Sequence, residues 1–224
     1  RGEGVFVCDC SDIDDVIVFR KDGIMKVSRI SSKAFFGKNI LHVAVWKKGD
    51  IRTTYNAIYF DGKSGRSMVK RFNVKSITRD REYPITKGTP KSKVWYFTAN
   101  RNGEAEVVTV HLRNQPRLKR LKIDLDFSHI AIKGRASGGN IVSKFLLKKI
   151  ELKEAGVSTL GARKVWFDET VRRLNGDGRG KFLGEFHAED NIMALQSNGV
   201  YVLTGFDFST HFSEKMISVE KWDS

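Results

Sequence analysis

DDVIVFRKDGIMKVSRISSKAFFGKNILHVAVW, residues 14–46, returns without a gap as DNIMALQSNGVYVLTGFDFSTHFSEKMISVEKW, residues 190–222. The offset is constant at 176, so that Asp14 meets Asp190, Gly23 meets Gly199, Phe36 meets Phe212 and Trp46 meets Trp222. Apolar residues also meet apolar residues, as with Val16 and Ile192, Phe19 and Leu195, Leu41 and Ile217, and Val43 and Val219. Self-similarity at a fixed spacing marks a repeat architecture, in which one unit cannot bury its apolar face alone and stacks against the next.

Along the whole chain, short β-branched and aromatic runs dominate: VFVCDC, VIVF, ILHVAVW, AIYF, VWYF, VVTVHL, KVWF, FLGEF, IMAL and VYVL. Turn dipeptides separate them at Asp22-Gly23, Asp61-Gly62, Asn102-Gly103, Asn175-Gly176 and Asn198-Gly199. The stretch SKFLLKKIELKEA (143–155) has helix-like spacing but reads as a long strand, because its neighbours in the repeat are strands. Each unit reads as a hairpin, a loop and a return strand, with units at about 12–50, 55–103, 105–156, 163–187 and 190–222. The opening run at 4–10 has no hairpin partner in its own unit and is expected to pair with the last unit and close a ring, hiding exposed strand edges. The predicted fold is all-β: one propeller-like domain over 1–224, of about five four-stranded antiparallel blades, one abbreviated. Two packed sandwiches are the competing arrangement, and they fit an ungapped repeat less well.

Of the 224 residues, 40% are hydrophobic, enough for a packed core. No apolar run approaches the roughly 20 residues of a membrane span. Cys8 and Cys10 form a lone C-x-C and the five histidines are scattered, so no metal site is expected. Alternate strand residues face opposite ways, which argues against a Cys8–Cys10 disulfide and fits a reducing cytoplasm. The strand-like start at Arg1 suits a fragment of a longer protein.

The formal charge is +14 and is uneven. Residues 1–15 and 187–224 each carry −4, which leaves +22 on residues 16–186. Such an excess points to a polyanionic partner, most often nucleic acid. Basic, glycine-containing loops recur between hairpin and return strand. They hold Lys38 in the first unit, Lys87 and Lys91 in the second, Lys133 and Arg135 in the third with Lys144 just beyond, and Arg179 and Lys181 in the fourth. Glycine lets backbone approach a phosphate, and Lys or Arg neutralises it. The pairs Lys70-Arg71, Lys119-Arg120 and Arg172-Arg173 end three successive hairpins and are expected on a common face. Phosphate contacts alone carry little sequence information. A protein-interaction scaffold is the alternative, and it predicts a broad apolar patch. A propeller glycosidase would need paired carboxylates around a funnel. Asp124, Asp126, Asp168 and Glu169 are available, but pairs at hairpin turns are usually solvated.

These residues resemble a known family, the C-terminal domain of the A chain of bacterial type IIA DNA topoisomerases (DNA gyrase and topoisomerase IV), most closely its Bacteroides-group versions. The likeness rests on TTYNAIYFDGKSG (53–65), GEAEVVTVHL (103–112), IAIKGRASGGNIVSK (130–144), the stretch from Lys148 to Phe186 and LTGFDFSTHF (203–212). The resemblance implies a β-pinwheel whose blades exchange strands and whose basic rim bends double-stranded DNA without sequence preference. It implies no catalytic residue and no cofactor here, because the catalytic tyrosine, the ATP site and the Mg site of the parent enzyme lie elsewhere. It implies as partners the breakage-reunion part of the same polypeptide and the ATPase B subunit of an A2B2 enzyme. It further implies a monomeric isolated domain and a cytoplasmic location. The gyrase Q-R-R-G-G-K-G box is absent, with Phe35-Phe36-Gly37-Lys38-Asn39 at its place. That favours relaxation and decatenation over supercoiling.

Overall fold

The computed structural model describes residues 4–116, 118–187, 190–205, 208 and 210–222. Part of the 203–212 motif therefore lies outside the described residues. In chain order the strands are β1 (Asp15–Arg20), β2 (Ile24–Arg29), β3 (Ile40–Trp46), β4 (Thr54–Asp61), β5 (Arg66–Asn73), β6 (Glu82–Pro84), β7 (Lys93–Asn100), β8 (Glu104–Leu112) and β9 (Lys122–Asp126). They continue with β10 (Ile132–Gly134), β11 (Asn140–Ser143), β12 (Leu147–Ser158), β13 (Arg163–Asp168), β14 (Arg173–Asn175), β15 (Lys181–Phe186), β16 (Asn191–Gln196), β17 (Tyr201–Gly205) and β18 (Met216–Trp222). No α-helix forms among the described residues. The helix-like stretch is strand from Leu147 onward, in β12, while Ser143 ends β11 and residues 144–146 lie between the two.

The strands make five small sheets: β3-β1-β2-β6, then β10-β5-β4-β7 with β11 also on β5, then β12-β8-β9, β14-β13-β15 and β17-β16-β18. The all-β blade array is as the repeat predicts, but the blades are not uniformly four-stranded. Each has a hairpin and a return strand on the hairpin's first member, and the further strands come from elsewhere. β6 lies in the second repeat yet pairs with β2 of the first sheet. β10 and β11 lie in the third repeat yet pair with β5 of the second. His211 of the fifth repeat bridges Arg173 on β14. Sheets are thus stitched by strand exchange from the following repeat.

The chain divides into two compact units, Arg1–Thr159 and Leu160–Ser224. In the first, one core joins Ile17, Phe19, Met25 and Val27 of the first sheet to Tyr55, Tyr59, Phe72 and Val94 of the second. Another joins Ile58 and Val69 to Val108, Val110, Leu125 and Leu147 of the third sheet. In the second unit, Val165, Phe167 and Phe186 pack with Ile192, Phe212 and Val219.

The sequence repeat is reproduced bond by bond. Asp15 pairs with Trp46 and Asn191 with Trp222. The Asp14 and Asp190 carboxylates each accept from the backbone N–H three residues earlier, at 2.8 Å. Gly23 and Gly199 hold φ of 81° and 80° in the two hairpin turns.

The expected closing strand is a correction. Residues 4–10 form no strand, and Val5, Phe6 and Val7 are 89%, 76% and 54% exposed. With no hairpin partner and no ladder, so short a segment cannot offset the entropy of holding an extended conformation.

Candidate nucleic-acid interface

In each sheet one end gathers the hairpin tip and the loop that leads into the return strand. The Lys21 N–H donates to the Asn39 carbonyl at 2.9 Å, Arg113 to Leu146 at 2.9 Å, and Ser197 to Lys215 at 2.7 Å. In the second sheet the Gly62 N–H donates to the Ser92 hydroxyl at 3.1 Å. Gly62 lies so close to the Pro90 carbonyl that a Cβ would collide with it. Just inside this end every return strand bulges, with one extra residue: Leu41, Trp95, Lys148, Leu183 and Ile217. A bulge turns the strand and sets the preceding loop at a fixed angle to the tip.

The residues two to four places before each bulge are rich in cations. They include Lys38 in the first sheet, Lys91 and Lys93 in the second, Lys144 in the third, Arg179 and Lys181 in the fourth, and Lys215 in the fifth. All are exposed. Lys38, Lys91, Lys144, Arg179 and Lys181 are thus brought to corresponding ends of their sheets. Sequence reasoning missed Lys21, Lys63, Arg66 and Lys93, which are exposed at hairpin tips or strand starts. The Asp-Gly signals of the turns could have pointed to the first two.

The first and second sheets meet at a seam here. The Lys21 carbonyl accepts from the Val94 N–H at 2.9 Å, and Gly23 accepts from Ile85 at 2.8 Å. One residue, Lys21, therefore bonds to the loop carrying Lys38 on one side and to the strand carrying Lys93 on the other. Carboxylates nearby are already engaged: Asp22 and Glu82 pair with Arg20 at 2.9 and 2.7 Å. Asp61 is buried and accepts from Ser64 and Thr89, each at 2.6 Å, with Lys87 at 3.5 Å. Those two hydroxyls first, then the Lys63 backbone amide and the Lys87 charge, hold its pKa well below the carboxylate range, against the cost of burial. Among the described residues Lys21, Lys38, Lys91 and Lys93 enter no ion pair. All four are exposed.

The basic pairs do not share a common face. Lys119 and Arg120 are exposed in the β8–β9 loop, and Arg173 is exposed while Arg172, half-buried, has a left-handed φ of 50°. Lys70 and Arg71 are a correction, being only 1% and 2% exposed. β5 is covered on both faces, because the third repeat's glycine loop folds over it. Lys70 donates to the carbonyls of Ile85, Arg135 and Ser137 at 2.6–2.8 Å and lies 4.5 Å from the Phe72 ring centre. Burial pushes its ammonium pKa down to about 8. Arg71 donates to Asn56, Phe127, Gly103, Glu104 and Thr159, tying the second sheet to the third. Neither is available to a phosphate. Arg135, half-buried, packs its guanidinium 4.2 Å from the Tyr83 ring and donates to Ser76, while Lys133 is exposed.

Among the described residues no cluster of three or more His, Cys, Asp or Glu could hold a metal. No described helix is long and apolar enough to cross a membrane.

A family model described as topoisomerase C-terminal domain, Bacteroidota, matches residues 2–155 and 173–224. The crystal structure of the C-terminal domain of DNA topoisomerase IV is similar at 12% identity, covering 94% of this chain and 79% of that one, with a TM-score of 0.45. The DNA gyrase A C-terminal domain is similar at 10% identity, covering 96% and 84%, with a TM-score of 0.38. No curated protein matches the chain.

Proposed function

The chain belongs to the Bacteroidota family of topoisomerase C-terminal domains, and from that premise we propose that it binds duplex DNA along the cationic ends of its sheets. The observation that carries this is the seam at Lys21, where four exposed lysines have no carboxylate partner among the described residues. Lysines spaced along a rigid edge contact phosphates and release counterions, which binds any sequence. Bending a duplex over such an edge costs several kcal/mol per tens of base pairs, so it requires several contacts at once. Cations before the return-strand bulges of the three sheets in the first unit would provide them, and the sheets of the second unit carry their own.

In this reading the domain is the non-catalytic, DNA-bending part of the A chain of a type IIA topoisomerase. It acts in the cytoplasm beside the breakage-reunion part and the ATPase B subunit of an A2B2 enzyme. ATP and Mg serve that enzyme elsewhere, and the domain itself takes no cofactor. Relaxation and decatenation are favoured over supercoiling. At the place of the gyrase box, residues 35–39 carry Phe35, 82% exposed, and one cation, Lys38.

A topology assay on the full enzyme, with and without this segment, tests the reading. Decatenation and relaxation should fall on removal, and unchanged activity would refute a DNA-presenting role. The fifth sheet favours an additional protein contact, since Val200, Tyr201, Val202 and Leu203 are 45–61% exposed.

A further inference from the structure

Two exposed aromatic residues lie on the two segments that bond to Lys21 at the first seam. Phe35, four residues before Asn39, is 82% exposed. Trp95, next to Val94, is 37% exposed, with the Lys93 Nζ 5.5 Å from its ring centre. Asn39 and Val94 are the two hydrogen-bond partners of the Lys21 backbone, so both rings belong to one seam. Trp95 is the extra residue of its bulge, which releases it from the ladder.

The outer surface of a closed duplex presents phosphates and sugars. Lysines suffice for it, and the two rings have no role there. An exposed ring flanked by ammonium groups suits a different ligand: an unpaired base stacks on the ring while its phosphate is neutralised. At the bulge position itself the ring is particular to the second sheet, while in the fourth sheet Phe182, 51% exposed beside Lys181, stands one residue before the bulge. At the offset of 176, the counterpart of Phe35 is His211, whose backbone bridges Arg173. At the bulge, the other sheets carry Leu41, Lys148, Leu183 and Ile217 where the second carries Trp95.

We infer that the seam between the first and second sheets binds single-stranded nucleic acid, with Phe35 and Trp95 stacking on unpaired bases and Lys21, Lys38, Lys91 and Lys93 holding the phosphates. The inference extends the duplex reading and shares its lysines, but rests on rings that reading does not use. A strand opened by torsional stress would supply such bases.

The test compares labelled oligo(dT) with a duplex of equal length, bound to the 224-residue chain at one salt concentration. Oligo(dT) should quench tryptophan fluorescence. Trp95→Leu and Phe35→Ser should each weaken oligo(dT) binding by ~5- to 100-fold and leave duplex binding within about twofold. Phe35→Ser alters a side chain already in water, so it keeps the test decisive if Trp95→Leu lowers the melting temperature. Unchanged oligo(dT) affinity in Phe35→Ser, or an equal loss for duplex, overturns the inference alone. A chain that binds neither nucleic acid overturns the duplex reading with it.

Discussion

The Lys21 amide and the Asn39 carbonyl are 2.9 Å apart, and their counterparts 176 residues on, Ser197 and Lys215, make the same bond at 2.7 Å. This link fixes the loop before the return strand against the hairpin tip, so the cations around it sit on firm backbone. Lys21→Ala and Lys93→Ala should each weaken duplex binding about equally for any sequence. Each should also reduce the slope of log affinity against log salt by about 1. Fluorescence anisotropy over a salt series measures both.

Glu214 stands where Lys38 stands in the first repeat, at the offset of 176. It is exposed, and no described residue pairs with it. Glu214→Lys should therefore strengthen duplex binding and steepen the salt slope by about 0.9 for the added contact. An unchanged slope would take the fifth sheet out of the binding path.

Lys70 acts on stability instead of binding. Its folded pKa, about 8, lies below the ordinary 10.5 because of burial. Between those values the unfolded chain binds more protons than the folded one, so this group makes stability rise as pH increases from about 8 to 10.5. Thermal melts across that range should show the rise in the native chain and not in Lys70→Ala. The variant should also be less stable at pH 7 by about 1–3 kcal/mol, because three buried carbonyls lose their donor.

Asp61 has the opposite pH signature. Its folded pKa is depressed, chiefly by the Ser64 and Thr89 hydroxyls. Its stabilisation is present above the unfolded carboxylate value of about 3.9 and fades as pH falls through the lower folded value. Asp61→Ala should release the loop bearing Lys87 and Lys91 and cost about 1–3 kcal/mol at pH 7. It should also flatten stability against pH in the acid range, as an acid-unfolding titration would show.

Gly139, at φ 75°, turns the third repeat's loop over β5, and a Cβ there would strike the Val69 carbonyl. Gly139→Ala should lower the melting temperature and expose Lys70, detectable as faster amide exchange at Val69 and Lys70. Native exchange rates in the variant would mean that the loop tolerates displacement.

The hairpins and return strands were legible because their apolar alternation and Asp-Gly or Asn-Gly turns are local, and because the 176-residue repeat copies them. The exchanged strands were not. β6 reads EYP, β10 reads IKG and β11 reads NIVS, too short to carry a period. The misplacement of Lys70 and Arg71 follows from that. The apolar residues Met68, Val69 and Phe72 mark β5 as a strand, but only the exchanged loop covers its second face. The closing strand failed for the converse reason: residues 5–10 have strand composition but no ladder partner. The placement of Lys38, Lys91, Lys144, Arg179 and Lys181 at corresponding sheet ends was legible because loop position follows from the repeat. Lys21 was passed over as a turn residue.

The most direct test of the account is a pair of charge-reversed chains. One carries Glu at Lys21, Lys38, Lys91 and Lys93. The other carries Glu at Arg29, Lys47, Lys48 and Lys75, exposed cations at the opposite end of the same two sheets. Both change net charge equally, so any difference between them reports position. The first should lose most duplex affinity, with a salt slope lower by about 3.6 from four lost contacts, while the second stays within a few-fold of the native chain. Equal losses in the two would show that binding follows total charge and that the tip-and-loop end of the sheets is not the interface.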